Sequence, residues 1–478
     1  MKSLLSIATL TLVFVILLAC NKSHSKSNPD NNPTDTATVN VDFWLTRADQ
    51  TVLFTKQSTA LTFSTVSNTN STITVDTTTT YQTMDGFGFA LTGGSADVIH
   101  HMAAANEDTL LHELFSTDGN SIGISYLRIS IGASDLDSAV FTFDDMPQGQ
   151  TDTALANFSI APDMTDLIPV LKKILTINPT IKILATPWTA PVWMKTNDNS
   201  VGGNFNHQYY DVYANYFVKY IEAMRAQGIT IDAITPQNEP MNPGNNPSML
   251  LSASEEADFI KNHLGPAFQQ AGITAKIIIF DHNCGDPEYP LDILSDTAAL
   301  KYIDGTAFHL YSGDISALTQ IHNAAPQKNV YFTEQWVGAP SNFSGDFNWG
   351  IKNLVIGASN NWAKCVLQWN LASDPTYGPH TAGGCTSCMG AVTIGASVVR
   401  NTPYYTIAHA AKFVRPGSVR VASSVAAGLS NVAFVTPDGK KVLIVLNESG
   451  ISQTFNISFK GKIVSPSLPP GGVGTFVW

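Results

Sequence analysis

Eight short apolar segments, each followed by a longer stretch, recur along the middle of this chain, and that alternation limits the folds open to it. The segments are residues 86–91, 126–131, 181–186, 231–235, 276–280, 305–310, 329–333 and 365–369. Helices are expected among the stretches between them, at 164–177, 209–227, 254–270 and 315–323. In the second of these, Tyr213, Phe217, Tyr220, Ile221 and Met224 recur at helical spacing, and Gly228 stops the run. Eight strand-then-helix units over about 320 residues fit a parallel (β/α)8 TIM barrel, an α/β fold. A doubly wound open sheet is the alternative. Gly86-Phe87-Gly88 runs on into Phe89 with no glycine-rich phosphate loop, which weakens a dinucleotide-binding reading.

The flanks read differently. Residues 39–84 alternate apolar with Thr and Ser, through Val41, Phe43, Leu45, Leu61, Phe63, Ile73 and Val75. Beyond Pro403, strands are expected at 418–425, 432–436, 441–446, 454–457 and 473–477, with a turn at Pro437-Asp438-Gly439. The N-terminal strands are too few to bury a face alone. The simplest assembly is one accessory β-sandwich built from 39–84 and 403–478, beside the barrel at 85–402.

Residues 1–20 are not expected to belong to the fold. Lys2 precedes a nearly unbroken apolar run, short for a membrane span, that closes in Leu17-Leu18-Ala19-Cys20. That ending resembles a bacterial lipobox, in which the cysteine is lipidated; plain secretion with a free Cys20 is the alternative. Residues 21–38 lack an apolar pattern and read as a disordered tether. An exported lipoprotein, held at a membrane by its lipid and facing the periplasm or the cell surface, is expected.

Partner classes follow from composition. The formal net charge of −12 argues against nucleic acid and against an anionic membrane surface. Aromatics make up 10% of the chain, with eight Trp, which suits a neutral sugar gripped by ring faces and hydrogen bonds.

The ends of the expected strands carry the chemistry. Strand two is followed by Asp135, and strand three by Trp188 and Trp193. Strand four ends in Asn238-Glu239, strand five in Asp281-His282-Asn283 and strand six in His309 and Tyr311. Strand seven ends in Glu334 and Trp336, strand eight in Trp369-Asn370. Barrel strands are normally filled by branched apolar residues, so this set is hard to assign to packing. A lone Glu, Trp or His at such a place would more simply be a solvated or core residue. Two carboxylates converging at one mouth suit cleavage of a glycosidic bond, one as proton donor and the other as ionised nucleophile.

Several stretches resemble glycoside hydrolase family 30, and they occur in that family's order. They are Ala185-Thr186-Pro187-Trp188-Thr189-Ala190-Pro191-Val192-Trp193-Met194-Lys195-Thr196-Asn197, Gln237-Asn238-Glu239-Pro240, Thr333-Glu334, and Asp85-Gly86-Phe87-Gly88 followed by Leu91-Thr92. The likeness runs from about residue 85 onward. It implies a barrel with a sandwich made from both chain ends and hydrolysis with retention at the anomeric carbon. By position it implies Glu239 as acid/base, Glu334 as nucleophile and Asn238 on the sugar 2-hydroxyl. Asp135, Trp188 and Trp369 would hold the sugar in the −1 subsite, with His309 and Tyr311 near the nucleophile. Gly383-Gly384-Cys385-Thr386-Ser387-Cys388-Met389-Gly390 looks like the family's endo-β-1,6-glucanase branch. No clear equivalent of a glucosylceramidase-type asparagine contact is found there.

For an exported chain, Cys385 and Cys388 read as a local disulfide; a zinc site would need a second ligand pair and a redox motif a thioredoxin-like setting. Cys284 and Cys365 are expected to be free and buried. No cofactor and no metal requirement are expected. The leading reading is a monomeric retaining β-glycosidase, an endo-β-1,6-glucanase acting on β-glucan. A glucosylceramidase or β-glucosidase, or a β-xylan or β-fucoside hydrolase, stands beside it on the same fold. A carbohydrate-binding lipoprotein without catalysis and a metal-dependent hydrolase are the readings from other classes.

Overall fold

A computed structural model of the chain describes residues 39–478. The expected signal segment, the lipidation site Cys20 and the tether at 21–38 lie outside the described residues. Eight strands close into one parallel barrel: β1 Gly86–Ala90, β2 Tyr126–Ser130, β3 Lys182–Thr186, β4 Ala233–Ile234, β5 Lys276–Asn283, β6 Ile303–His309, β7 Asn329–Glu334 and β8 Ala363–Gln368. Strand β8 pairs back onto β1, from Cys365 opposite Gly86 to Gln368 opposite Phe89. That closure excludes the open sheet. Gly88 is required where β1 meets β2, because a Cβ there would collide with the Tyr126 carbonyl. The expected helices stand at Leu167–Ile177, Tyr210–Ala226, 253–271 and Ala317–Ala324. The third is interrupted by a π-helical stretch, Ile260–Leu264.

Alternation along each strand sorts the barrel into layers. Tyr126, Leu184, Ala233, Ile278, Ala307, Tyr331, Cys365 and Leu367 form one apolar cluster separate from the outer core. Two residues further along β2, β3, β4, β6 and β7 the same period gives Arg128, Thr186, Thr235, His309 and Thr333, all buried. The plug therefore turns polar one layer below the mouth. On β5 the period breaks. Phe280 and Asp281 both have left-handed backbone, φ 77° and 50°, and the register against β6 slips between Ala307 and Phe308. Phe280 consequently packs outward against Phe308 and Tyr289, while the Asp281 carboxylate reaches the barrel interior.

The accessory strands form a ten-stranded sheet in which both ends of the described chain take part. Asn40–Thr46 lies antiparallel to Val473–Val477, and Thr72–Thr83 lies antiparallel to Val419–Ser423. Alternate residues serve two cores. Trp44, Val432, Phe434, Val442 and Ile444 join the barrel's outer core; Phe43, Leu45, Ala433, Leu443 and Val445 close the sandwich's own. The boundary at 403 comes too early. Helix Thr402–Ala411 is wholly buried and packs on β1 and on the helical run from Phe343 to Ala358, so it belongs to the barrel.

One imidazole fastens the two parts. His409, fully buried on that helix, lies 2.8 Å from the hydroxyl of Thr475 through Nδ1 and 2.8 Å from that of Thr46 through Nε2. Thr475 spends its own proton on the His409 carbonyl, and Thr46 accepts from Phe54 N–H. The network therefore fixes a neutral ring that donates from Nδ1 and accepts at Nε2. Burial holds this imidazole down at about 3. The unfolded chain, at about 6.5, takes up a proton that the fold refuses, so this residue's stabilisation falls as pH drops from about 6.5 toward 3, at a limiting slope of about 1.4 kcal/mol per unit. His409→Gln should lower stability at pH 7 by about 1–3 kcal/mol and flatten that acid slope, as read from denaturant unfolding of both proteins at pH 7, 6, 5 and 4.

Candidate active site

The site is built on one buried cation. Arg128 is the lone charge in an otherwise uncharged strand, Tyr-Leu-Arg-Ile-Ser, and its side chain is wholly inside the barrel. Its Nη1 donates to Glu334 Oε2 at 2.5 Å; its Nη2 donates to Asn238 Oδ1 at 2.6 Å and to Asp281 Oδ2 at 2.8 Å. The guanidinium lies 4.9 Å from the Trp188 ring centre and 5.8 Å from that of Trp369. Claiming the Asn238 carbonyl oxygen leaves the Nδ2 amide as that side chain's donor end. Asp281 also accepts from the hydroxyls of Thr235 and Thr333. Although burial opposes ionisation, the Arg128 charge and the His309 contact hold Asp281 far below the usual carboxylate range.

The two glutamates sit above this pair. Glu239 follows β4 in a left-handed conformation, φ 43°, with its N–H donating to the Asp281 carbonyl. A non-glycine residue pays about 1–2 kcal/mol for that conformation, a strain typical of active sites. Its Oε1 lies 3.0 Å from His309 Nδ1, and its Oε2 accepts from Asn242 Nδ2 at 2.7 Å. Glu334 ends β7, where the pairing with β6 slips between Phe308 and His309. Its Oε1 accepts from the Tyr311 hydroxyl at 2.8 Å and stands 3.8 Å from His309 Nδ1. His309 thus touches both, so Glu239 Oε1 and Glu334 Oε1 are at most about 6.8 Å apart by addition of the two distances, near enough for both to act on one glycosidic bond.

These groups titrate as one unit. His309 is opposed by burial but raised to about 9 by the negative charge of Glu334 and its bonds to Asp281 and Glu239. Burial pushes Glu239 up, and His309 more than reverses it, to about 2. Burial pushes Glu334 up, with the Glu239 charge adding and His309, Arg128 and Tyr311 pulling against it. Both Glu334 oxygens already accept bonds from donors, one of them a permanent cation, so the unit's proton lies on the line between Glu239 and His309. His309 Nε2–H donates to Asp281 Oδ1 at 3.1 Å in either arrangement. Nδ1 then donates to an ionised Glu239 or accepts from a protonated one.

An open cavity of about 290 Å³ covers the pair, lined by Asp135, Trp188, Glu239, Tyr311, Glu334 and Trp369 with Asn242, Asn245, Asn283, Trp336, Cys385 and Cys388. Asn238 and His309 lie beneath it through the bonds above. Burial, then the Glu334 charge, pushes Asp135 up to about 7. A disulfide joins Cys385 and Cys388, while Cys284 and Cys365 are free and buried. The cystine loop laces three strand-end loops together. Cys385 N–H donates to Asp135 Oδ2, the Thr381 hydroxyl donates to the Asn246 carbonyl, and Ala339 and Met389 bond across to Ser387 and Val337. Trp193 and Asn370 stand elsewhere: Trp193 donates to the Asp144 carbonyl in the outer core, and Asn370 accepts from Ser95. Arg128 escaped the strand-end reading because it sits inside a strand; a charge amid apolar neighbours was its only signal.

A family model for the glycosyl hydrolase family 30 TIM-barrel domain matches residues 84–414, and one for that family's beta sandwich domain matches 417–476. An endo-1,6-beta-D-glucanase of Neurospora crassa is 34% identical over 83% of this chain and 85% of its own. The lysosomal acid glucosylceramidase of Mus musculus is 30% identical over 83% and 81%. A solved endo-beta1,6-glucanase superposes with a TM-score of 0.86 at 36% identity, covering 92% of this chain and 99% of its own.

Replacing Arg128 by Met leaves Asp281 and Glu334 buried without their cation. The expected loss is about 3–5 kcal/mol of unfolding free energy, measured by urea denaturation at pH 7; a loss within 1 kcal/mol would show that the carboxylates find other partners.

Proposed function

The chain belongs to glycoside hydrolase family 30 and is a β-glucan hydrolase, and from this we propose that it is a retaining endo-β-1,6-glucanase with Glu334 as nucleophile and Glu239 as acid/base. The observation that carries the linkage is the 34–36% identity to endo-1,6-glucanases over most of both chains. The mouse glucosylceramidase is less similar.

Membership of the family supports a double displacement, and the two glutamates at one mouth are placed to carry it. A Glu334 oxygen attacks the anomeric carbon while the bond to O6 of the departing glucose breaks, and the proton on the Glu239–His309 line passes through Glu239 to that O6. A covalent glycosyl ester on Glu334 results. Glu239, now ionised, takes a proton from water as the water attacks the same carbon, and Glu334 leaves as a carboxylate. Arg128 and Tyr311 hold both oxygens of Glu334 through each exchange of charge. Trp188 and Trp369, whose ring centres are 5.3 Å apart, offer apolar walls to the sugar. Asp135 and the Asn238 amide offer polar contacts to its hydroxyls.

The full chain incubated with linear β-1,6-glucan should release mixed gluco-oligosaccharides at the earliest times. Glucose alone would replace endo with exo action, and no product from a sample active on an aryl β-glucoside would sink the linkage. Glu334→Gln should lower kcat by about 10⁴-fold or more. Glu239→Ala should still cleave a dinitrophenyl β-glucoside, whose leaving group needs no proton. Azide should then speed turnover and yield the β-glucosyl azide, and an α-azide or no rescue would overturn the assignment. The shared proton, lost as pH passes about 9, should set the alkaline limb of kcat/KM. His309→Gln should move that limb by a unit or more.

A further inference from the structure

One imidazole beside the carboxylates has no partner. His282, next to Asp281 at the end of β5, is 6% exposed, and its Nδ1 meets no hydrogen-bonding atom. That nitrogen stands 3.8 Å from Glu239 Oε1, beyond hydrogen-bond reach. His309 Nδ1 lies 3.0 Å from the same oxygen. The three donor atoms lie within 4.8 Å of one another. The mechanism above uses Glu239 and His309 and leaves His282 idle.

We propose that Glu239, His282 and His309 form a binding site for a divalent transition ion of zinc or copper(II) type, and that the ion blocks the enzyme by occupying the atoms between which the catalytic proton moves. Two imidazoles and a carboxylate suit a borderline ion, whereas magnesium and calcium prefer oxygen alone. The surroundings already have the form a metal-binding histidine requires. His309 Nε2–H donates to Asp281, which orients the ring so that Nδ1 presents its lone pair to the ion once the ion has displaced the proton shared with Glu239. Asp281 is itself locked by Arg128, Thr235 and Thr333. Asn242 holds Oε2 of Glu239, which turns Oε1 toward the two imidazoles. An ion about 2.0–2.2 Å from each donor keeps any two within about 4.4 Å, so small rotations of the unpartnered His282 ring complete the set. Glu239 lines the cavity, so a fourth position opens toward water. The ion is an inhibitor and no cofactor. The ion site is independent of the sugar assignment, because binding is read without substrate.

Two other clusters among the described residues, each half-buried with one exposed histidine, could also take up metal and are removed first: Asp97 with His101 and Asp166, and His207 with Asp258 and His263. Zinc chloride is titrated calorimetrically into the full chain carrying His101→Ala and His263→Ala, after washing with chelator. One site is expected, with half-inhibition of aryl β-glucoside hydrolysis at a matching zinc concentration and recovery on adding EDTA. Adding His282→Ala should raise both concentrations about tenfold or more, with circular dichroism checking the fold. Binding and inhibition that His282→Ala leaves unchanged, or binding without inhibition of an active enzyme, overturn the proposal. If His282→Ala does not fold, cobalt(II) on the parent variant decides: visible bands of a nitrogen-ligated ion support the site and their absence overturns it. A chain that binds zinc through His282 yet cleaves no aryl glucoside keeps the ion site and counts against the catalytic roles.

Discussion

A guanidinium sealed inside a barrel is the constraint around which the rest of this molecule is arranged. Arg128 cannot shed its proton, so its charge must be answered where it stands. Asp281 and Glu334 answer it, and Asn238 takes a remaining N–H. Both glutamates at the mouth are placed by this demand, Glu334 directly and Glu239 through His309 and Asp281. The closed parallel barrel brings β2, β4, β5 and β7 around one such point without opening it to water.

The local irregularities serve the same arrangement. Strict alternation would leave Phe280 pointing in and Asp281 pointing out. Two left-handed residues and a slipped register reverse them. The strain is held from outside by Glu256, which accepts from Phe280 N–H and from the Tyr289 hydroxyl. A second slip, between Phe308 and His309, sets His309 opposite Glu334. These two slips, of the four in the described barrel ladder, lie at the strand ends beneath the two glutamates.

Much of this was legible in the residues. The eight strands could be counted because each is a short apolar run, and the polar residues that follow them mark the mouth. Glu239, Glu334, Asp135, Trp188, Tyr311 and Trp369 stand out at those ends and line one cavity. Arg128 was less legible, since its meaning depends on partners 110 to 206 residues away. The reversal at Phe280–Asp281 was hidden, because nothing in Ile-Phe-Asp-His announces a left-handed backbone. The helix Thr402–Ala411 is inconspicuous in the sequence although Pro403 suits a first turn and Tyr404, Ile407, Ala408 and Ala411 repeat at helical steps. Its burial on every side removes the polar face that makes a helix conspicuous.

The accessory sheet also carries a consequence for how the protein is made. Asn40–Thr46 pairs with Val473–Val477, so a strand that leaves the ribosome early waits for one synthesised more than 400 residues later. Until then Trp44 and Phe43 have no strand on that side, and His409 lacks the Thr475 hydroxyl to which it donates. The barrel, whose strands pair mostly with near neighbours, can assemble in the meantime. Its β8-to-β1 closure still precedes the last sandwich strand. An exposed apolar edge during that interval is a place for a chaperone or for a neighbouring nascent chain.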